Sequence, residues 1–412
     1  MKAFIAAVFL ICIVGILKLI YSSNDTLGFN RQPSSLGFKY RGQNIEEGSS
    51  EESSQSPSAD LASYPPDQPV KVNTDLLVRI ACQERVNNCY VNPIQKRTNS
   101  GRIFLDAAQV PLDETVVEGS DQIIFKKLVQ RLKASRYIKK SVLLGLDGVY
   151  DQVTGRFNIE QSAFRFSNSF LLSQINAANS DSKDPFLLYG PSINPFAKGA
   201  VENLRKAKQE GAVLIHWVPC LMGFNPSEEN KILNEFYLTL KELKLPLLVQ
   251  VGKTGLTSNE NSENCSIQNL LPALKMEIKV MVSEMIPMNN LNLSQGFKSL
   301  NTKGNELSDL MKQYSNLYLV MSSQPNLKQT LQWPVQWLKN YRERIYYGSN
   351  WPWLILEQGY DPAHWQFTRL PISKEWKIFI PTLDNVIDRD IAIKKSLGMD
   401  PTILLNTVDL FN

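Results

Sequence analysis

Histidine is nearly absent from this chain, whose 412 residues include only His216 and His364. A catalytic zinc ion usually needs three protein ligands, most often rich in histidine, so a zinc centre of familiar geometry is not expected. The chain also lacks a Walker loop, an HExxH motif, a GxGxxG after a strand, and a GxSxG between strand and helix. No motif therefore points directly to nucleotide binding, metalloprotease activity or serine-hydrolase activity.

Basic runs and metal-type cysteine pairs are missing as well. The formal net charge is only +4, and no run of Lys and Arg is interleaved with aromatic residues, so we expect no nucleic-acid partner. The five cysteines form no CxxC pattern. Cys220 and Cys265 stand alone, whereas Cys82 and Cys89 are seven residues apart and could be either a short disulfide or two ordinary thiols.

The amino-terminal region predicts an attachment to a membrane. Residues 3–20 are apolar except for Lys18. A helix of this length is long enough to cross a bilayer. Residues 1–21 are a transmembrane anchor or a signal sequence, and the large residues around Lys18 favour an uncleaved anchor. The short stub before this segment favours a single pass with the bulk of the chain on the extracytoplasmic side. Residues 22–75 are rich in Ser, Pro and acidic residues, which predicts a disordered linker.

The rest of the chain, 76–412, predicts one α/β domain. Short apolar runs alternate with segments of helical periodicity, the pattern of repeated βα units around a parallel sheet. The predicted strands cover residues 102–106, 141–146, 186–189, 212–218, 247–251, 278–283, 317–321 and 345–348. Eight such units predict a (β/α)8 TIM barrel, with an open doubly wound sheet as the alternative because periodicity does not show closure.

Several blocks resemble the amidohydrolase-related branch of the metal-dependent TIM-barrel hydrolases. The block EGAVLIHWVPCLMGFNPSEENKILNEFYLTLKELKLPLLVQVG is similar to its middle strands, and RIYYGSNWPW to its last-strand Gly-Ser-Asp-(Trp/Tyr)-Pro motif. RIFLDAAQV resembles the opening Asp-x-His-x-His strand, and DPTILLNTVDLF the closing helix. The resemblance covers roughly residues 101–412 and implies a site at the carboxyl ends of the strands.

Carried over by position, the family's metal ligands are mostly replaced. Asp106 remains, but the two histidine positions of the opening strand hold Ala108 and Val110. The fifth-strand histidine corresponds to Gln250, the sixth-strand histidine to Glu284 and the last-strand aspartate to Asn350, which lacks the charge and basicity to activate water. The resemblance thus implies no metal cofactor, with Asp106 and Glu284 as weak candidate ligands if a divalent ion binds.

These observations predict the residues of a site and leave two functions open. The predicted catalytic positions are Asp106, His216, Glu284 and Asn350. The predicted substrate-binding positions are Gln250, Lys253, Trp351 and Trp353. One hypothesis is a metal-deficient pseudoenzyme that binds a small molecule or an envelope protein. The other is an active hydrolase, or a decarboxylase-like lyase, of a small amide, ester, lactone or carboxylate that uses Asp106, Glu284 and His216. A barrel without any pocket activity is the third possibility.

Overall fold

The computed structural model describes residues 72–112, 117–257, 260–283, 306–321, 340–352, 354, 373–396 and 399–406. The predicted anchor at 1–21 and all but the last four residues of the predicted linker lie outside them. Among the described residues no helix is both long and apolar enough to cross a bilayer.

Parallel strands form the centre of the domain. They are β1 (Val72–Arg79), β3 (Ile138–Leu144), β5 (Leu187–Gly190), β6 (Ile215–Trp217), β7 (Leu247–Gln250), β8 (Val280–Ser283), β9 (Leu317–Met321) and β10 (Ile345–Tyr347). Two short strands, β2 (Tyr90–Val91) and β4 (Phe164–Arg165), pair with each other in antiparallel fashion. The parallel strands are ordered β1-β3-β5 in one sheet and β10-β9-β8-β7-β6 in the other. The α/β class and the parallel sheets predicted from the sequence are confirmed.

Parallel bridges join the two sheets at both edges. Val78 at the end of β1 pairs with Trp351 just after β10, and Tyr189 in β5 pairs with Ala212 just before β6. The Arg79 amide donates to the Trp351 carbonyl over 3.1 Å, which continues the ladder from the last strand to the first. The eight parallel strands therefore close on themselves, which favours the barrel over the open sheet.

Helices connect the strands. They are α1 (Pro93–Arg97), α2 (Asn99–Ala107), α3 (Ser120–Lys133), α4 (Asn168–Asn179), α5 (Ala200–Gln209), α6 (Pro219–Met222), α7 (Lys231–Glu242), α8 (Leu271–Lys275), α9 (306–313), α10 (Lys374–Phe379), α11 (Val386–Ser396) and α12 (Pro401–Leu405). Side chains at the start of several helices satisfy their first amides, as where Asn230 Oδ1 accepts from Ile232 at the start of α7. The apolar spacing of residues 121–134, 197–209, 227–243 and 307–314 predicts helices, and these segments correspond to α3, α5, α7 and α9.

The first strand is the main error of the sequence prediction. Residues 102–106 belong to α2 rather than to a strand, and the opening strand is β1, four residues of which fall inside the predicted linker. In α2 the buried positions recur with helical spacing at Gly101, Phe104, Leu105 and Ala107, and Thr98 caps the helix by accepting from the Gly101 amide. This 3.6-residue burial pattern cannot be met by a strand, whose side chains alternate between faces.

The barrel interior contains its own apolar layer, separate from the larger core between strands and helices. Its buried members are Leu76, Leu77, Val142, Leu144, Leu214, Leu248, Met281, Val320 and Tyr346. The packing is close enough to require glycine after β10, because a Cβ on Gly348 would lie 2.7 Å from both Leu77 Cβ and Val320 Cγ1. The inside of the barrel is thus a filled core, and any site must lie above it, at the strand ends.

Cysteine pairs close two loops at the same ends of the strands. Cys82 and Cys89, with Cα atoms 5.6 Å apart, form a disulfide across the loop after β1. Cys220 and Cys265, which stand alone in the sequence, form another, with Cα atoms 5.4 Å apart. Their 45-residue separation conceals a pairing that only the fold brings together.

Candidate functional site

Polar side chains replace the apolar layer where the strands approach their carboxyl ends. Residues in register on neighbouring parallel strands point to the same face, so Gln250 and Ser283, which pair in β7 and β8, face inward above the paired Leu248 and Met281. His216 in β6 pairs with Leu248 and faces inward as well. Arg79 ends β1, and Asn350 follows β10. We call Arg79, His216, Gln250, Ser283 and Asn350 the mouth residues.

The Arg79 guanidinium is the cation of the mouth. Its Nη2 donates to Gln250 Oε1 over 2.8 Å, and its Nη1 donates to Asn350 Oδ1. Asn350 reaches this position from a left-handed backbone conformation with φ of 59°, which asparagine tolerates better than most residues. The side chains from the first, fifth and last strands of the barrel are therefore held together by a buried positive charge.

His216 is a fully buried neutral imidazole in β6. Burial, together with the positive charge of Arg79, lowers its pKa to about 3 even though a backbone contact opposes the shift. The contact joins Nδ1 to the Gly145 carbonyl oxygen over 2.8 Å, so Nδ1 carries the proton and Nε2 keeps its lone pair. A histidine with so low a pKa is a weak base, but it remains a good hydrogen-bond acceptor.

Two polar atoms of the mouth lack a hydrogen-bond partner among the described residues. They are His216 Nε2 and Ser283 Oγ, and both side chains are completely buried. Buried polar groups are nearly always hydrogen-bonded to protein, water or a ligand, because leaving them unpaired costs about 1–3 kcal/mol each. These two atoms therefore point to a polar molecule that completes the mouth.

The described mouth residues do not fit a divalent metal ion. Gln250 and Asn350 could offer amide oxygens, but both oxygens accept hydrogen bonds from Arg79. A guanidinium cannot ligate a metal, and its permanent charge repels a cation placed beside it. Only His216 Nε2 is left as a good ligand, which is fewer than the three protein ligands that a catalytic metal usually takes.

A second grouping of possible metal ligands lies at the disulfide in the loop after β1. Cys82, Cys89 and Asp121 bring potential ligand atoms within 4.8 Å of one another. The two sulfurs are bonded to each other, and Asp121 accepts from the Gln83 and Glu84 amides and from Asn87 Nδ2 over 2.8–2.9 Å. These contacts make Asp121 a clamp on the loop, and the oxidised pair provides no thiolate for a metal.

A cluster of buried charges lies beside β10, and we call it the Lys394 cluster. Lys394 Nζ donates to Asp390 Oδ2 over 2.8 Å, and Tyr347 Oη donates to the same oxygen over 2.7 Å. Nearby, Asp75 Oδ1 accepts from the Ser349 amide over 2.8 Å and from the Leu77 amide over 3.1 Å. Burial raises the pKa of Asp75 to about 6, while these hydrogen bonds and the charge of Lys394 oppose the shift.

The structure brings only part of the predicted site together. His216, Gln250 and Asn350 meet at the mouth. Asp106 is exposed near the end of α2, because residues 102–106 belong to a helix and not to a barrel strand. Lys253 is exposed in the loop after β7. Trp351 is buried, but its ring lies 4.8 Å beneath the guanidinium of Arg131 in α3, which is outside the barrel. Glu284 and Trp353 lie outside the described residues.

Arg79 and Ser283 were missed, and the sequence held a signal for the first of them. In β1 the run Asp75-Leu76-Leu77-Val78-Arg79 has the spacing of the Asp-x-His-x-His motif that had been sought at Asp106. The two histidine positions then correspond to Leu77, in the inner apolar layer, and Arg79, at the mouth. The motif was overlooked because the segment follows directly on a polar, Pro-rich stretch.

No protein-family model and no curated protein matches this chain. Solved structures do match, and they include a TIM-barrel protein, 5-carboxyvanillate decarboxylases, a dihydroorotase and amidohydrolases.

One is an uncharacterized TIM-barrel protein from Bordetella bronchiseptica, 14% identical, with 78% of this chain and 98% of that chain covered and a TM-score of 0.42. Another is 5-carboxyvanillate decarboxylase from Novosphingobium aromaticivorans, complexed with manganese and a nitrobenzoic acid, at 11% identity, 81% and 94% coverage and a TM-score of 0.42. A third is an amidohydrolase II at 15% identity, 73% and 94% coverage and a TM-score of 0.34. At such identities and TM-scores the likeness does not indicate an activity.

Proposed function

We propose that this chain is a small-molecule-binding (β/α)8 barrel whose mouth works without a metal ion. The observation that carries the proposal is the Arg79 guanidinium, held by Gln250 and Asn350 at the strand ends. A fixed organic cation there takes up both amide oxygens that could have turned to a metal ion. In this proposal the domain is a pseudoenzyme that has kept the barrel and its mouth but not metal-assisted hydrolysis.

The ligand that suits this mouth is small and carries both an acidic group and a hydroxyl. Arg79 supplies positive charge, and His216 Nε2 accepts a hydrogen bond from the ligand's hydroxyl group. Ser283 Oγ can donate to or accept from the same molecule. Because His216 and Ser283 are fully buried, the bound part has to be only a few atoms across.

The competing function is an active hydrolase or decarboxylase-like lyase. It was expected to use Asp106, Glu284 and His216, and two observations weigh against that set. Asp106 is exposed on α2, and the low pKa of His216 makes it a poor general base near neutral pH. A metal-dependent version, with manganese as in the decarboxylase described above, would also have to displace the contacts of Arg79.

We further propose that the barrel faces an extracytoplasmic space. Disulfides persist in oxidising compartments, and this domain has two, at Cys82–Cys89 and Cys220–Cys265. The apolar stretch at residues 3–20 would then serve as the single-pass anchor. We also propose that the barrel binds an envelope protein as a second partner.

Matched probes test the binding function on the full-length chain in detergent. Glycolate carries a carboxylate and a hydroxyl, whereas acetate lacks the hydroxyl. We expect saturable glycolate binding by ligand-observed NMR, weaker acetate binding, and loss of that preference in His216→Phe. Equal binding of both probes by wild type and variant would contradict the proposed mouth.

Metal analysis tests the proposal that the mouth works without a metal ion. After expression with added manganese and zinc, mass spectrometry of the purified protein should find far less than one ion per chain. A stoichiometric ion that resists dialysis against a chelator would overturn the metal-independent mouth.

A further inference from the structure

A separate cavity lies in the loop region after β1, apart from the mouth residues. It has a volume of about 570 Å³, within the range of small-molecule sites. It is lined by Gln83, Arg85, Tyr90, Val91, Pro93, Lys96, Arg97 and Leu112. None of the mouth residues is among them.

The charged side chains in the described part of this lining are all positive. Arg85, Lys96 and Arg97 contribute positive charges, and the described lining includes no carboxylate. Tyr90, Val91, Pro93 and Leu112 add an apolar wall. A cavity with cations on one side and apolar groups on the other is suited to an organic anion with an apolar body.

Gln83 supplies an independent sign of a ligand. Its side chain is 4% exposed, and its Oε1 accepts from Lys96 Nζ over 2.7 Å. Its Nε2 lies buried without a hydrogen-bond partner among the described residues. An amide N–H beside a lysine is a suitable donor pair for a carboxylate.

The loop that carries Gln83 and Arg85 is rigidly held. The Cys82–Cys89 disulfide closes it, and Asp121 accepts from the backbone amides of Gln83 and Glu84. Glu84 returns the contact by accepting from the backbone amide of Asp121 over 2.7 Å. Such reciprocal contacts hold the loop in place before any ligand arrives, which reduces the entropy lost on binding.

We propose that this cavity is a binding site for a small carboxylate with an apolar body, with Gln83 Nε2 and Lys96 Nζ as its carboxylate contacts. This site is independent of the proposed function of the mouth. Benzoate is a suitable probe, and benzamide, of nearly the same shape but uncharged, is its matched control.

Isothermal titration of the full-length chain in detergent tests the site. We expect benzoate to bind, benzamide to bind at least about tenfold more weakly, and Gln83→Glu to weaken benzoate binding by about tenfold or more, since a hydrogen bond to a charged group contributes roughly 1.5–3 kcal/mol. Gln83→Glu keeps the shape and an oxygen for Lys96 but replaces the donor by an acid. Lys96→Met should weaken binding similarly, whereas Lys206→Met, on exposed α5, should leave it unchanged.

Further arms separate the explanations. His216→Phe alters the mouth alone, so benzoate binding that survives in it belongs to this cavity, and binding lost in it but kept in Gln83→Glu would overturn the assignment. Equal affinities for benzoate and benzamide would also overturn it. Asp113 and Glu114 follow Leu112 in the sequence. If benzoate binds only after Asp113→Asn/Glu114→Gln, the chain's own carboxylates compete with benzoate for the cavity, and the proposal is wrong. Unchanged thermal unfolding curves would show that each variant is folded.

Discussion

Lys394 and Arg79 are both buried cations of this domain, but their hydrogen-bond partners differ in kind. Lys394 donates to the Asp390 carboxylate, which also accepts from Tyr347, so this cation is paired with an anion. Arg79 donates to the neutral amides of Gln250 and Asn350, and the mouth also contains His216 Nε2 and Ser283 Oγ, which have no partners among the described residues. Burial of a cation alone therefore does not mark a functional site.

The largest effect should come from Lys394→Met. It leaves the Asp390 carboxylate buried without its cation, which should lower the free energy of unfolding by about 3–5 kcal/mol, measured by urea denaturation. The matched control is Lys394→Met/Asp390→Leu, which removes both charges and should recover most of the loss. If the single and double variants were equally unstable, the Lys394 cluster would stabilise the fold through packing rather than through charge balance.

Asp75 should make the Lys394 cluster sensitive to pH. Its pKa is about 6 in the folded chain and near 3.8 when unfolded, so the folded state binds more protons between these values. The resulting stabilisation, about 3 kcal/mol, is present below pH 4 and is lost as the pH rises through 6.

Urea denaturation between pH 4 and 7 checks this on the difference between wild type and Asp75→Asn, which cancels the titration of other groups such as His216. The free energy of unfolding of the wild type should fall relative to that of Asp75→Asn as the pH rises. Parallel curves would show that Asp75 keeps an ordinary pKa.

Arg79→Met should cost less than Lys394→Met, because it removes a donor from two neutral amides rather than the cation from a carboxylate. We expect a loss of about 2–3 kcal/mol in the free energy of unfolding. Arg205→Met is the control, since Arg205 pairs with Glu242 on the surface and should be nearly neutral. A loss for Arg79→Met as large as that for Lys394→Met would contradict the distinction drawn between Arg79 and Lys394.

The sequence predicts the mouth residues better than it predicts the Lys394 cluster. Strands β3 and β5 to β10 follow from apolar runs, and His216, Gln250 and Asn350 follow from their positions at the ends of those strands. Arg79 was missed because β1 directly follows a polar stretch, while α2 offered a more conspicuous apolar run. The Lys394 cluster was out of reach, because Asp75, Tyr347 and Lys394 are brought together only when the barrel closes and α11 packs against it.

The smallest effect is expected at His216, where His216→Phe keeps the ring but removes the hydrogen bond to the Gly145 carbonyl. The cost at pH 7 should be about 1 kcal/mol. The folded pKa of about 3 lies below the ordinary 6.5, so the stability that His216 contributes is present above pH 6.5 and is lost as the pH falls toward 3. His216→Phe lacks this titration, which is worth about 2 kcal/mol between pH 7 and pH 5, so its disadvantage in urea denaturation should disappear over this range and become a small advantage. A constant gap would mean that His216 has the same pKa in the folded and unfolded chains, and the buried neutral imidazole on which the proposed ligand contact rests would be wrong.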